Sequence, residues 1–279
     1  MTLQLGLEVG AKTTAGPKRP TNEDSVVATP PVFLVADGMG GHDAGERASA
    51  IVAQEMARLH GKPDIREVHD ALHRACLAIN SLEGRAAHQA GTTVAGMVMT
   101  EQGGAPYWLV INLGDSRTYR ASGGVVEQIS VDHSEVQELV AAGRITESEA
   151  RTHPKRNVVT RVLGAGTVEQ PDYWLLSAGD AERWMICSDG LTSEVSQTQI
   201  EAALLAPMPP QEVVDGLVSS ALAAGGHDNV SVIVVDVHYL QEAGYDVTVN
   251  WPDHTKVGFA LDGPTSSWDP SWKEQYYEV

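Results

Sequence analysis

The sequence reads as one continuous α/β domain over residues 1 to about 237, and three observations support it. Six short stretches, 3–8, 32–36, 93–99, 107–112, 184–187 and 230–237, read as strands. Several are almost wholly apolar, as strands covered on both faces are. Segments of helical period lie between them. Hydrophobic residues make up 42% of the 279, so a sizeable core is available.

The first helix is expected over 45–60, where Ala48, Ile51, Val52, Glu55, Met56 and Leu59 form a mostly apolar stripe. A second is expected over 64–80, with Ile65, Val68, Leu72, Ala75 and Ile79 on one face and Asp64 as its cap. A further helical pair, 202–205 and 211–224, flanks the breaker 207–210. Residues 134–166 are polar and irregular, with short helical pieces at 135–142 and 147–152, and read as a loop excursion or a flap over a site. Residues 238–279 form a C-terminal extension of different character. It holds Trp251, Trp268 and Trp272, with Phe259, Tyr245, Tyr276 and Tyr277, and has no helical period. Two readings of it stay open: aromatics that pack back onto the domain, or a partner-binding or regulatory tail.

The formal net charge is −18. That balance argues against a nucleic-acid partner, which requires Lys and Arg to replace counterions, and against docking on an anionic membrane. No apolar run reaches the roughly 18 residues of a membrane span, and the N-terminus lacks the features of a signal peptide. The chain is therefore expected to be cytoplasmic, with Cys76 and Cys187 reduced, and a monomer is expected. An acidic protein that handles phosphate needs local positive charge, for which a metal ion is the ordinary source.

Three apolar runs end in an aspartate beside a glycine: Asp37-Gly38, Gly114-Asp115 and Asp189-Gly190. A strand that stops there puts a carboxylate at a sheet rim, with a glycine that permits close approach. Each alone is also an ordinary turn signal. Two further clusters are Arg19 with Asn22-Glu23-Asp24, and Gly226-His227-Asp228-Asn229. If the rims converge, so many carboxylates cannot all stay ionised without cations, and an oxygen-only set suits Mn²⁺ or Mg²⁺.

Taken in order, Arg19 with Asn22-Glu23-Asp24, Asp37 to His42, Gly91-Thr92-Thr93, Gly114 to Arg117, His153-Pro154, Ser188 to Leu191 and Gly226 to Asn229 resemble the metal-dependent protein phosphatase family, type 2C, in its bacterial form. The resemblance covers residues 1 to about 237 and does not reach the extension. It implies an α+β fold: a four-layer α-β-β-α sandwich, two mainly antiparallel sheets flanked by helices, with a metal cleft at one end. It further implies two Mn²⁺ or Mg²⁺ ions. Asp37 would bridge them, with the Gly38 carbonyl as a further ligand; Asp189 and Asp228 would hold one ion directly. Glu23 would reach the other through water, with Asp24 close by. Asp115 with Asp189 would form the third site seen in bacterial relatives. Arg19 would bind the substrate phosphate, and the 134–166 flap would contact substrate, with Asn157 as a lining candidate.

The implied reaction is hydrolysis of phosphoserine or phosphothreonine in proteins by a metal-activated water, with no covalent enzyme intermediate. This matches a sequence without a convincing nucleophilic Ser or Cys arrangement. The expected partners are phosphoprotein substrates, including a cognate serine/threonine kinase and its targets. Met39 stands where eukaryotic relatives carry a histidine proposed as leaving-group acid. His42 is a candidate for that role, against the alternative that it supports the following helix. His133 and His153 are read as loop or core histidines, Thr92 and Thr93 as the opening of a strand, and Ser116 with Arg117 as shaping the turn at Asp115. Two rivals remain: a phosphoprotein-binding module without turnover, and a phosphatase of a partner-switching pathway regulated through the extension.

Overall fold

A computed structural model describes residues 4–40, 43–82, 90–240 and the pair 258–259. The chain opens with β1 (Gln4–Thr14), β2 (Asp24–Thr29) and β3 (Val32–Met39), then α1 (Asp43–Met56) and α2 (Ile65–Asn80). The middle carries β4 (Gly91–Thr92), β5 (Val94–Gln102), β6 (Ala105–Leu113), β7 (Arg117–Ser122) and β8 (Val125–Gln128), then the short helices α3 (Glu135–Ala141) and α4 (Glu147–Ala150). The last third holds β9 (Leu163–Gly164), β10 (Asp172–Ser177), β11 (Glu182–Cys187), α5 (Asp189–Thr192), α6 (Gln197–Leu205), α7 (Pro210–Ala224), β12 (Val230–Leu240) and β13 (Gly258–Phe259).

Among the described residues, every strand pairing is antiparallel. One sheet runs β1-β12-β11-β7-β8; the other runs β13-β10-β6-β5-β3-β4-β9, with β2 also paired to β3. The four-layer α+β sandwich follows from which face of each strand meets what. Along β3, Val32, Leu34 and Ala36 join the cluster that includes Val52 and Met56 of α1 and Leu72 of α2. Phe33 and Val35 turn the other way, into a cluster with Trp108, Trp184, Ile233 and Val235 between the sheets. Met185, Val232 and Val234 meet Val213, Val214 and Leu217 of α7 on the far side. Central strands are apolar on both faces because each face is covered, so they read as continuous runs rather than alternating ones. Phe33 packs on Trp108 with ring centroids 6.1 Å apart, and Trp108 on Trp184 at 6.2 Å, forming an aromatic seam between the sheets.

Asp64 caps α2 as expected. Its Oδ1 accepts from the backbone N–H of Arg66 and Glu67 at 2.8 and 2.9 Å, while Glu67 Oε2 accepts from the Asp64 N–H at 2.9 Å. Strands β2, β7, β8 and β10 were not foreseen, and β1 continues to Thr14 because it pairs with β12 over its whole length. The β7 strand carries two arginines that would normally argue against burial. Arg120 is nonetheless 5% exposed, because it pairs with Glu182 of the neighbouring β11. No helix among the described residues is long and apolar enough to cross a membrane.

Candidate functional site

The strand ends carrying the acidic motifs meet at one end of the sandwich. Asp24 at the start of β2 lies directly opposite Asp37 in the β2–β3 register, so both carboxylates leave the same face as cross-strand neighbours. Asp115 follows β6, Asp189 opens α5 just after β11, and Asp228 immediately precedes Asn229 and β12. Gly38 and Gly190 permit this convergence. A Cβ on Gly38 would sit 2.2 Å from the Gly45 carbonyl oxygen and 2.5 Å from that of Glu23; on Gly190 it would sit 1.9 Å from that of Asn229.

Neutral side chains hold the backbone of these ends. Thr93 Oγ1 accepts from the Asp37 N–H at 3.1 Å, the Thr93 N–H donates to the Asp37 carbonyl at 2.9 Å, and the Thr92 hydroxyl donates to that carbonyl at 2.9 Å. Thr93 Oγ1 also lies 2.8 Å from Ser116 Oγ, linking the Asp37 end to the Asp115 turn. Asn229 ties down the loop of Arg19 and Glu23. Its Oδ1 accepts from the Glu23 N–H at 2.8 Å, and its Nδ2 donates to the carbonyls of Ala15 and Thr21 at 3.1 and 2.9 Å.

The electrostatics are those of too many carboxylates in one place. Burial, then the charges of Asp24, Asp189, Asp115 and Asp228, push Asp37 well above the usual carboxylate range. Burial and Asp189 push Asp115 up to about 8. Asp24 is pushed up to about 6 by burial, although Ser231 donates to its Oδ2 at 2.6 Å. Asp189 is raised by burial and by Asp228, against a hydrogen bond shared with Asp37. The exposed Arg19 donates to Asp228 Oδ2 at 2.6 Å, so its ion-pair partner is Asp228 rather than the Glu23 or Asp24 beside it in sequence.

This donor set fits a hard divalent cation. It is made of oxygens, its repulsion is relieved by positive charge, and Asp24 Oδ1 is buried without a hydrogen-bond partner. Among the described residues, no three acidic, histidine or cysteine side chains already close round a single point. The cluster is thus defined by its shared field rather than by finished coordination. His42 lies outside the described residues. Asn157 is exposed on the flap segment.

Residues 22–223 match the family model described as protein phosphatase 2C. The chain belongs to the protein phosphatase 2C family. It is 38% identical over 244 residues to the serine/threonine protein phosphatase PstP of Mycobacterium tuberculosis, an alignment covering 84% of this chain and 45% of that protein. It therefore spans about half the length of that relative. A crystal structure of the M. tuberculosis phosphatase PstP/Ppp superposes with a TM-score of 0.78 at 35% identity, covering 83% of this chain and 99% of that one. The PstP catalytic domain in complex with two manganese ions gives 0.74 at 34% identity, covering 84% and 100%.

Within this type 2C domain, sequence reasoning undervalued Thr92, Thr93 and Asn229. Thr92 and Thr93 do open a strand, but both also hold the backbone of Asp37. Asn229 stood in a recognised motif without an assigned task; its place beside Asp228 was the available signal.

Proposed function

We propose that the chain is a metal-dependent phosphoserine/phosphothreonine protein phosphatase. The observation that carries this reading is the group of aspartates crowded at one sheet rim, the buried Asp24 and Asp115 with the partly buried Asp37, Asp189 and Asp228, beside an exposed arginine. Two Mn²⁺ or Mg²⁺ ions would be held by Asp37, the Gly38 carbonyl, Asp189 and Asp228, with Glu23 and Asp24 at their margin. Asp115 with Asp189 would take a third. Bound there, the ions supply concentrated positive charge and an activated water. Arg19 binds the phosphoryl oxygens, releasing Asp228 as phosphate replaces the carboxylate on its guanidinium. Thr92 and Thr93 keep the Asp37 backbone from shifting as charge changes at its carboxylate. Residues 1–237 form the catalytic unit, with a flap at about 134–166. We further propose a cytoplasmic monomer acting on phosphoproteins, among them a serine/threonine kinase and its targets.

Hydrolysis of p-nitrophenyl phosphate and of a phosphothreonine peptide, with Mn²⁺, with EDTA and for Asp189→Ala, tests the proposal. Turnover that requires metal and collapses in the variant supports it. Folded protein that turns over neither substrate across varied metal and pH, yet binds the phosphopeptide, replaces it with the binding-module reading.

A further inference from the structure

His133 belongs to none of the carboxylate motifs, yet it is buried and grips the residue before Asp115 from two sides. Its backbone N–H donates to the Gly114 carbonyl at 2.8 Å, and the Gly114 N–H donates to its Nδ1 at 3.0 Å. A backbone N–H can only donate, so Nδ1 is the accepting nitrogen and the ring proton of the neutral imidazole is assigned to Nε2. Nε2 lies 3.0 Å from Asp172 Oδ2, which takes that proton as an acceptor. The other Asp172 oxygen accepts from Arg161 Nη1 at 3.1 Å, and Arg161 also donates to the Gln170 carbonyl. The 2.8 Å approach of Arg161 Nη1 to Nε2 is then a meeting of two donors, tolerated because the Asp172 carboxylate accepts from both.

Gly114 has φ of 110°, and a Cβ there would lie 2.7 Å from Thr93 Cβ. It is thus pinned between Thr93, which holds Asp37, and His133. The His133 carbonyl accepts from the Thr160 N–H at 2.8 Å, where the flap returns to the domain. One residue, through its ring and its main chain, therefore joins the base of the flap, the start of β10 and the turn that aims Asp115.

We infer that His133 is a positioning residue for Asp115: its Nδ1 fixes the Gly114 peptide so that the Asp115 carboxylate is aimed for the third cation. The inference rests on reading Asp115 as a ligand of that cation, and the experiment separates the two. Mn²⁺ binding to the full chain, without substrate, is followed by the electron paramagnetic resonance of free Mn²⁺ for wild type, Asp115→Asn, His133→Ala, His133→Asn and His133→Gln. The asparagine Oδ1 can stand where Nδ1 stands and keep accepting from Gly114; the glutamine amide reaches Asp172 but offers Gly114 nothing.

Loss of one bound Mn²⁺ in Asp115→Asn upholds the ligand reading; retention of full stoichiometry there overturns that reading and the positioning role with it. Given loss, the expected result is an affinity for that Mn²⁺ lowered about tenfold or more in His133→Ala and His133→Gln, and near wild type in His133→Asn. His133→Asn binding as poorly as His133→Ala, or all three binding as wild type, overturns the positioning role while leaving Asp115 a ligand. Circular dichroism confirms folding, and should His133→Ala not fold, the contrast between Asn and Gln decides.

Discussion

Stripping metal from the cluster should make stability fall as pH rises, contrary to the usual behaviour of paired carboxylates. A carboxyl raised in the folded state contributes stability that is complete below its unfolded value and is lost as pH climbs through the folded one. Asp115 goes from 3.8 to about 8, so between pH 5 and 7 the metal-free folded chain holds about one proton more at this residue than the unfolded chain does. Each such proton costs about 1.4 kcal/mol per pH unit, or about 3 kcal/mol over that interval. Asp37 and Asp189 are raised as well and act with the same sign. Bound Mn²⁺ replaces those protons, so the gap between the metal-loaded and metal-free proteins should widen with pH. Remote groups such as His69, whose buried imidazole titrates below its ordinary value, drop out of that difference. The assay is urea denaturation at pH 5 and 7, with EDTA and with saturating Mn²⁺. A gap that stays constant, or metal-free stability that rises because of the cluster, would refute the reasoning.

Three further outcomes follow from particular contacts. Arg19→Ala should change unfolding free energy by less than about 1 kcal/mol, since the pair with Asp228 is exposed, while raising KM for a phosphopeptide about tenfold; steady-state kinetics and denaturation read both, and an unchanged KM counts against Arg19 as the phosphate ligand. Glu182→Ala leaves the Arg120 charge buried without its carboxylate and should cost about 3–5 kcal/mol in urea unfolding, whereas replacing both by Arg120→Met and Glu182→Leu should recover most of the loss. Gly190→Ala forces a methyl against the Asn229 carbonyl and should lower the thermal midpoint by several degrees and weaken Mn²⁺ binding; a variant with wild-type midpoint and affinity would show that the two strand ends need no such close approach.

What could be read in advance was what depends on local pattern. The apolar runs of β3, β5, β6, β11 and β12 were visible because both their faces are covered, and Asp64 was visible as a cap because its partners are its next neighbours. Convergence of the Asp–Gly ends was legible only as a condition, which the registers and the glycine contacts then met. Strand β7 was hidden because Arg117 and Arg120 look exposed until Asp132 and Glu182 are brought to them by distant parts of the chain. The choice of Asp228 by Arg19 joins residues 209 positions apart, a distance at which neighbouring Glu23 and Asp24 are the more obvious partners. The roles of Thr93, Asn229 and His133 escaped for a related reason. They act on backbone N–H and C=O groups, which every residue possesses and no sequence pattern marks.

The carboxylates are divided between the two sheets. Asp24 and Asp37 are carried by one, Asp189 and Asp228 by the ends of the other, and the Asp115 turn crosses from β6 to β7 between them. The spacing of these carboxylate oxygens is therefore a readout of how far apart the sheets stand, and that thickness is set by Phe33, Trp108 and Trp184 in the interior between the sheets. The sandwich behaves as a caliper whose jaws are the carboxylates and whose gauge block is the aromatic seam. Thinning the block moves the jaws without touching a single residue that would meet substrate.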